Sequence, residues 1–177
     1  MNRKIVLYIA VSLDGYIARE NGAVDWLGGH GDDPNADAGF DTFYSDVDTV
    51  IMGRTTYEQV INELSPGVWV YEGKQCYVAT TKTLEPNEKV EYISEDITGF
   101  ITKLKQQQGK DIWLVGGGKL IEQFVKQDLI DKYRITIIPT ILGEGIPLFL
   151  GENPEIKLKL METKTTDGMV ELVYMRR

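Results

Sequence analysis

The sequence predicts one α/β domain over residues 1–177, in which a mostly parallel central sheet with helices on both faces ends in antiparallel C-terminal strands. Three observations carry that expectation. Over the first two thirds of the chain, short apolar, β-branched runs alternate with runs whose apolar residues fall at helical spacing, the pattern of a parallel sheet. Over the last third, strand-like runs follow one another without a helix between them and turn at Gly168, which predicts antiparallel pairing. The 177 residues are 42% hydrophobic and 26% charged, and no repeat, linker or low-complexity tract divides them.

Ile5 to Val11 is nearly all β-branched or apolar and reads as a strand buried on both faces, stopped by Asp14-Gly15. Residues 19–35 are rich in glycine and polar groups and read as a long loop, and loops of that length in compact domains are usually functional. Ala36, Phe40, Phe43, Tyr44 and Val47 then stand at helical spacing. Thr49 to Met52 is the second strand; it runs into Gly53-Arg54-Thr55-Thr56, which opens a helix with Tyr57, Val60 and Ile61 on its apolar side. Gln75 to Ala79 and Val90 to Ile93 are further strands, and Ile97 to Leu104 is a helix stopped by Gly109. Asp111 to Val115 is a strand followed by Gly116-Gly117-Gly118 and a helix carrying Leu120, Ile121, Phe124 and Val125. Tyr133 to Ile138, Ile156 to Met161 and Met169 to Met175 complete the sheet.

Composition excludes several classes. A formal net charge of -8 disfavours nucleic acid and anionic membrane as partners, while leaving room for a basic pocket around an anionic ligand. Cys76 is the one cysteine, so no intrachain disulfide forms, which fits a reducing compartment. The first apolar run is too short for a signal peptide or a membrane span, so a cytoplasmic protein is expected. Asp33, Asn35 and Asp37 have the spacing of a calcium loop, but Ala38 stands where its glycine is needed and Tyr44 where its glutamate is needed; no metal is expected.

Three turns suit phosphate. Gly116-Gly117-Gly118 lets a backbone approach a ligand closely, and the helix after it presents unpaired N–H groups and a positive dipole end, with Lys119 adding charge. It is not a Walker loop, because Trp113 and Leu120 replace the required glycine and hydroxyl, nor a dinucleotide fingerprint, because Ile121 replaces the last glycine. Arg54 in the second turn offers a planar fork for phosphate, beside the hydroxyls of Thr55 and Thr56. Thr80-Thr81-Lys82 supplies two hydroxyls and a cation after another strand. Each alone is compatible with a plain turn or helix cap. Together they would lie beyond the carboxyl ends of parallel strands, where open α/β sheets bind ligands.

Residues 50–58 (VIMGRTTYE) resemble the strand and cofactor-binding helix start of dihydrofolate reductases, and 115–120 (VGGGKL) resemble their second glycine turn. Residues 10–18 (AVSLDGYIA) and 139–149 (PTILGEGIPLF) resemble the reductase domain of riboflavin biosynthesis, the RibD C-terminal domain, in its stand-alone bacterial form. The resemblance implies a dihydrofolate-reductase-like fold and NADPH as cofactor. It implies that Ala10, Gly15, Gly53, Arg54, Thr55, Thr56 and the stretch Val115, Gly116, Gly117, Gly118, Lys119 and Leu120 line the pyrophosphate and nicotinamide, with Thr80, Thr81 and Lys82 facing the 2′-phosphate. It also implies a homodimer.

A reduced C=N bond takes a hydride on carbon and a proton on nitrogen, and a carboxyl in an apolar pocket helps supply that proton. Counted back from Gly53, Asp37 takes the place of the dihydrofolate reductase acid, and Asp41 lies one turn later. Asp14 ends the first strand beside the expected nicotinamide and is the third candidate; an Asp-Gly turn or a solvated helix face accounts for these aspartates equally well. Ser12 would orient the substrate or the loop, Trp26 would close the long loop over the site or equally sit in the core, and Phe40 and Tyr44 are the aromatics near the acid. The lone His30 reads as solvated, and one histidine with one cysteine cannot build a zinc deaminase site. The expected function is hydride transfer from NADPH to a nitrogen heterocycle or ribosylamino-pyrimidine, most like 5-amino-6-(5-phosphoribosylamino)uracil reductase. Dihydrofolate reductase activity and a catalytically idle NADPH-binding sensor are the alternatives.

Overall fold

The computed structural model describes residues 3–32, 39–94 and 96–177. In chain order the elements are β1 (Ile5–Ser12), β2 (Tyr16–Ala18), α1 (Phe40–Asp46), β3 (Val47–Gly53), α2 (Arg54–Gln59), β4 (Gln75–Ala79), β5 (Glu91–Ile93), α3 (Ile97–Gln106), β6 (Asp111–Gly116), α4 (Gly118–Lys126), β7 (Lys132–Ile138), β8 (Ile146–Pro147), β9 (Leu158–Thr166) and β10 (Met169–Arg176). A π-helical turn, Val60–Leu64, prolongs α2. The main sheet runs β5-β4-β3-β6-β1-β7-β10-β9. Pairings from β5 through β7 are parallel, and β10 runs antiparallel to both β7 and β9.

The central strands are apolar throughout because both faces of the sheet are covered. Alternation along each strand sends Ile5, Leu7, Ile51, Ile112 and Leu114 into one core with Ile101 and Leu104 of α3 and Ile121 and Phe124 of α4. It sends Val6, Val50, Met52 and Trp113 into the opposite core with Phe43 of α1 and Tyr57 of α2. The hairpin between β9 and β10 turns through Asp167 and Gly168, both at positive φ, a backbone that matches the twist of paired strands.

Four elements, β3, β9, β2 and β8, differ from expectation. Helical spacing carries the helix to Val47, but Val47 is extended, buried and paired with Asp111, so it begins β3; a β-branched residue with a ladder partner leaves the helix. β9 runs to Thr166 because its ladder with β10 extends that far, although its exposed side chains give no apolar signal. β2 and β8 pair with each other and are too short for any periodicity to mark them.

The long loop is pinned at two points. Gln59 Nε2 donates to Gly22 O at 2.7 Å, and the Asp167 carboxylate accepts from Gly31 N and Asp32 N at 2.9 and 3.2 Å. His30 is exposed in this loop, and its backbone N–H donates to Asp167 O. At the N-terminal ends of the strands, buried Arg3 ties β1 to β3 and β6 through Asp48, Thr49 Oγ1 (2.5 Å) and Lys110 O (2.6 Å). No helix among the described residues is long and apolar enough to cross a membrane.

Candidate active site

A cleft of about 1360 Å³ lies along the carboxyl ends of the parallel strands. Its lining brings together the three turns that the sequence singles out: Gly53 to Thr56 after β3, Thr80 to Lys82 after β4, and Val115 with Gly117 to Leu120 after β6. Ala10 of β1 lies between them. Two of the turns touch. A Cβ on Gly117 would sit 3.2 Å from Thr56 Oγ1, and one on Gly53 would sit 3.7 Å from Gly116 O and Gly117 N. Gly116 has φ +128°, which L side chains rarely adopt, and the Gly116–Gly117 peptide bond is cis.

Gly117 caps α4 without a side-chain partner for its first N–H groups, so that helix end presents bare donors to the cleft. Arg54 Nη1 is held by both oxygens of Glu58 at 2.6 Å. The hydroxyl of Thr80 accepts from Lys82 N at 3.0 Å and shapes its turn, while Thr81 and Lys82 are exposed at the rim. Gly116 is buried behind the lining, and Gly15 uses its carbonyl to hold Leu148 N at 2.9 Å, so neither lines the cleft. The β2–β8 pair closes over the glycine turn: a Cβ on Gly118 would meet Ile146 Cγ2 at 3.3 Å.

The expected acids are placed differently. Asp14 is exposed and outside the cleft lining, accepting from Ser12 Oγ (2.7 Å), Leu142 N (3.1 Å) and Gly143 N (2.7 Å). The Ser12 hydroxyl, followed by these backbone donors, holds its carboxyl below the ordinary range, the opposite of what a proton donor needs. Asp14 is therefore a clasp for the 139–149 loop, and Ser12, buried and also accepting from Tyr16 N, orients that loop. Asp41 is exposed on α1 and does not line the cleft. Asp37 lies outside the described residues. Asp96 is the only carboxylate among the described lining residues, and its Oδ1 caps α3 through Gly99 N.

Trp26 is buried with its Nε1 unpartnered and lies outside the lining; its neighbours Val24 and Leu27 reach the cleft instead. Phe40 and Tyr44 form a layer behind the site. Phe40 packs at 5.8 Å from Tyr8 and 5.6 Å from Trp113, and the Tyr44 hydroxyl donates to Val70 O. The aromatic residues that do line the cleft are Tyr8, Trp113 and Tyr71, which sequence reasoning missed. The signal for Tyr8 was present: it sits two residues from Ala10, on the same face of β1. Burial pushes the Tyr71 hydroxyl up to about 12, so this wall stays neutral.

The RibD C-terminal domain family matches residues 3–172. The chain belongs to that family. It is 48% identical over 180 residues to the uncharacterized protein YwjB of Bacillus subtilis (strain 168), covering 99% of both chains. It is 38% identical to YyaP of the same organism, covering 97% of this chain and 94% of the other. Among solved structures, a Shewanella sp. PV-4 protein named for riboflavin biosynthesis superposes over 100% of this chain and 99% of its own, with TM-score 0.87 and 30% identity. The Thermotoga maritima deaminase/5-amino-6-(5-phosphoribosylamino)uracil reductase matches over 99% of this chain and 57% of its own, with TM-score 0.70; at 17% identity that likeness is one of fold. The mostly parallel sheet with antiparallel C-terminal strands is thus the dihydrofolate-reductase-like fold of the RibD C-terminal domain, and membership ties the chain to oxidoreductases in general.

Proposed function

We propose that this protein is an NADPH-dependent reductase of a small nitrogen heterocycle or its ribosylamino derivative. The convergence of three phosphate-suited turns on one cleft carries the reading. The residues fit a dinucleotide. Gly53 and Gly117 leave the close approach that a Cβ would fill, α4 offers bare N–H donors, and Arg54, Lys82 and Lys119 bring positive charge to a chain of net charge -8. The cofactor supplies a hydride when bound. This chain's residues bind its phosphates, orient it against Ala10 and Val115, and hold the substrate ring against Tyr8 and Trp113. Asp14 is committed to a loop and Asp96 to a helix cap, so neither of these two described carboxylates is free to hand a proton to the substrate nitrogen. A small-molecule substrate and a homodimer belong to the same proposal.

Among the described residues Asp96 is the one carboxylate lining the cleft, which favours one alternative, an NADPH-binding sensor without turnover. Fluorescence titration with NADPH and NADH tests the shared premise. NADPH is expected to bind more tightly, and Arg54→Ala to weaken it at least about tenfold, or about 1.4 kcal/mol. Equal, weak binding of both nucleotides to both proteins overturns the reading. Oxidation of bound NADPH by a heterocyclic substrate separates reductase from sensor.

A further inference from the structure

Helices α3 and α4 both begin at the cleft, and they treat their first N–H groups differently. Gly117 caps α4 without a side chain, which leaves that helix end to a phosphate. Asp96 caps α3, its Oδ1 accepting from Gly99 N at 2.9 Å. Gly99 makes room for that carboxylate, since a Cβ there would collide with Asp96 Oδ2. The positive end of α3 is thus already answered by a carboxylate, and Asp96 stands exposed in the lining of the cleft.

Sheet register brings this charge beside the turn after β4. Strands β4 and β5 run parallel with Ala79 opposite Ile93, and Thr80 N donates to Ile93 O at 2.9 Å. The chain leaves β4 as Thr80-Thr81-Lys82, alongside the chain that leaves β5 toward Asp96, and neighbouring strands are about 4.8 Å apart. Lys82 and Asp96 are both exposed and both line the cleft. A cation and a carboxylate therefore face the same end of a dinucleotide whose pyrophosphate lies at Gly53 and Gly117. A phosphate monoester there would carry close to two negative charges, attracted by Lys82 and repelled by Asp96. A hydroxyl in its place is neutral and donates a hydrogen bond, which a carboxylate accepts.

We propose that Asp96 is a specificity-determining residue that narrows the preference for NADPH over NADH. It opposes the 2′-phosphate that Lys82 attracts, and it favours the 2′-hydroxyl that replaces it in NADH. The inference rests on the dinucleotide reading of the cleft and adds to it a residue that works against the 2′-phosphate.

Asp96→Asn tests this, because asparagine caps a helix as well as aspartate does and only the charge is lost. Wild type and variant are titrated with NADPH and with NADH at low ionic strength, and the ratio of the two dissociation constants is compared. The variant is expected to favour NADPH over NADH at least about threefold more than the wild type does, with NADPH itself binding more tightly. Lys82→Ala should move the ratio the other way. In about 1 M salt, where charges are screened beyond roughly 3 Å, the effect of Asp96→Asn should shrink. A ratio that is unchanged or lowered in Asp96→Asn overturns the proposal. So does a rise that persists undiminished in high salt, because a change of loop shape, unlike a charge, is not screened. If Asp96→Asn melts well below the wild type, Asp96→Ser, also a neutral cap, carries the same comparison. Failure of both nucleotides to bind the wild type is a separate result, which removes the dinucleotide reading and this inference with it.

Discussion

Asp14 is exposed, and its carboxylate accepts three hydrogen bonds, from Ser12 Oγ, Leu142 N and Gly143 N. Its folded-state pKa is depressed, so the clasp stabilises the fold above the ordinary value of 3.8 and is lost as pH falls through the lower folded-state value. Asp14→Asn should therefore melt below the wild type at pH 7, with the gap closing at pH values under 3.8. A gap that persists in acid would mean the carboxylate charge is not what holds the loop. Gly117 makes a second residue-scale prediction. Its missing Cβ would press on Thr56 Oγ1 at 3.2 Å, so Gly117→Ala should lower both the melting temperature and NADPH affinity. Adding Thr56→Ala should recover part of the melting temperature, because the two sites share one contact. Cys76 stands apart from this chemistry: burial pushes its thiol up to about 12, which leaves it unreactive at neutral pH.

At the scale of elements, α4 links core and cleft. Its N-terminal turn lines the cleft, while Leu120, Ile121, Phe124 and Val125 bury its inner side. Phe124 is fully buried, and Phe124→Ala should cost about 3–5 kcal/mol in chemical denaturation. Helix α4 was legible because its apolar positions recur at helical spacing after a glycine stop. The β2–β8 pair was not legible, since a two-residue strand has no period, and only its partner across the glycine turn defines it. The long loop was recognised as a loop, but its anchors on Gln59 and Asp167 join positions 37 and more than 130 residues apart.

Across the whole molecule, stability and binding are placed at opposite ends of the sheet. Arg3, Asp48, Thr49 and Lys110 join the N-terminal ends of three strands, while the cleft lies at the carboxyl ends. Arg3→Met removes the ion pair with Asp48 and the bonds to Thr49 Oγ1 and Lys110 O and should cost roughly 1–3 kcal/mol while leaving the NADPH dissociation constant unchanged. A matched loss of NADPH affinity would show that the two ends are coupled through the strands.

The sequence by itself determined the alternation of strands and helices, the antiparallel finish, and the three turns rich in glycine, hydroxyl and cationic residues. These are local properties, written in periodicity and in the conformational freedom of single residues. Only the tertiary structure decided what those residues do. It set Asp14 against Leu142 and Gly143 as a clasp, kept Phe40 and Tyr44 a layer behind the cleft, and brought Tyr8, Tyr71 and Trp113 to its wall. It also paired Arg134 with Glu171 across β7 and β10. A side chain's protonation and availability depend on which distant groups neutralise, solvate or bury it, and those neighbours are chosen by sheet order and register, which no short stretch of sequence contains.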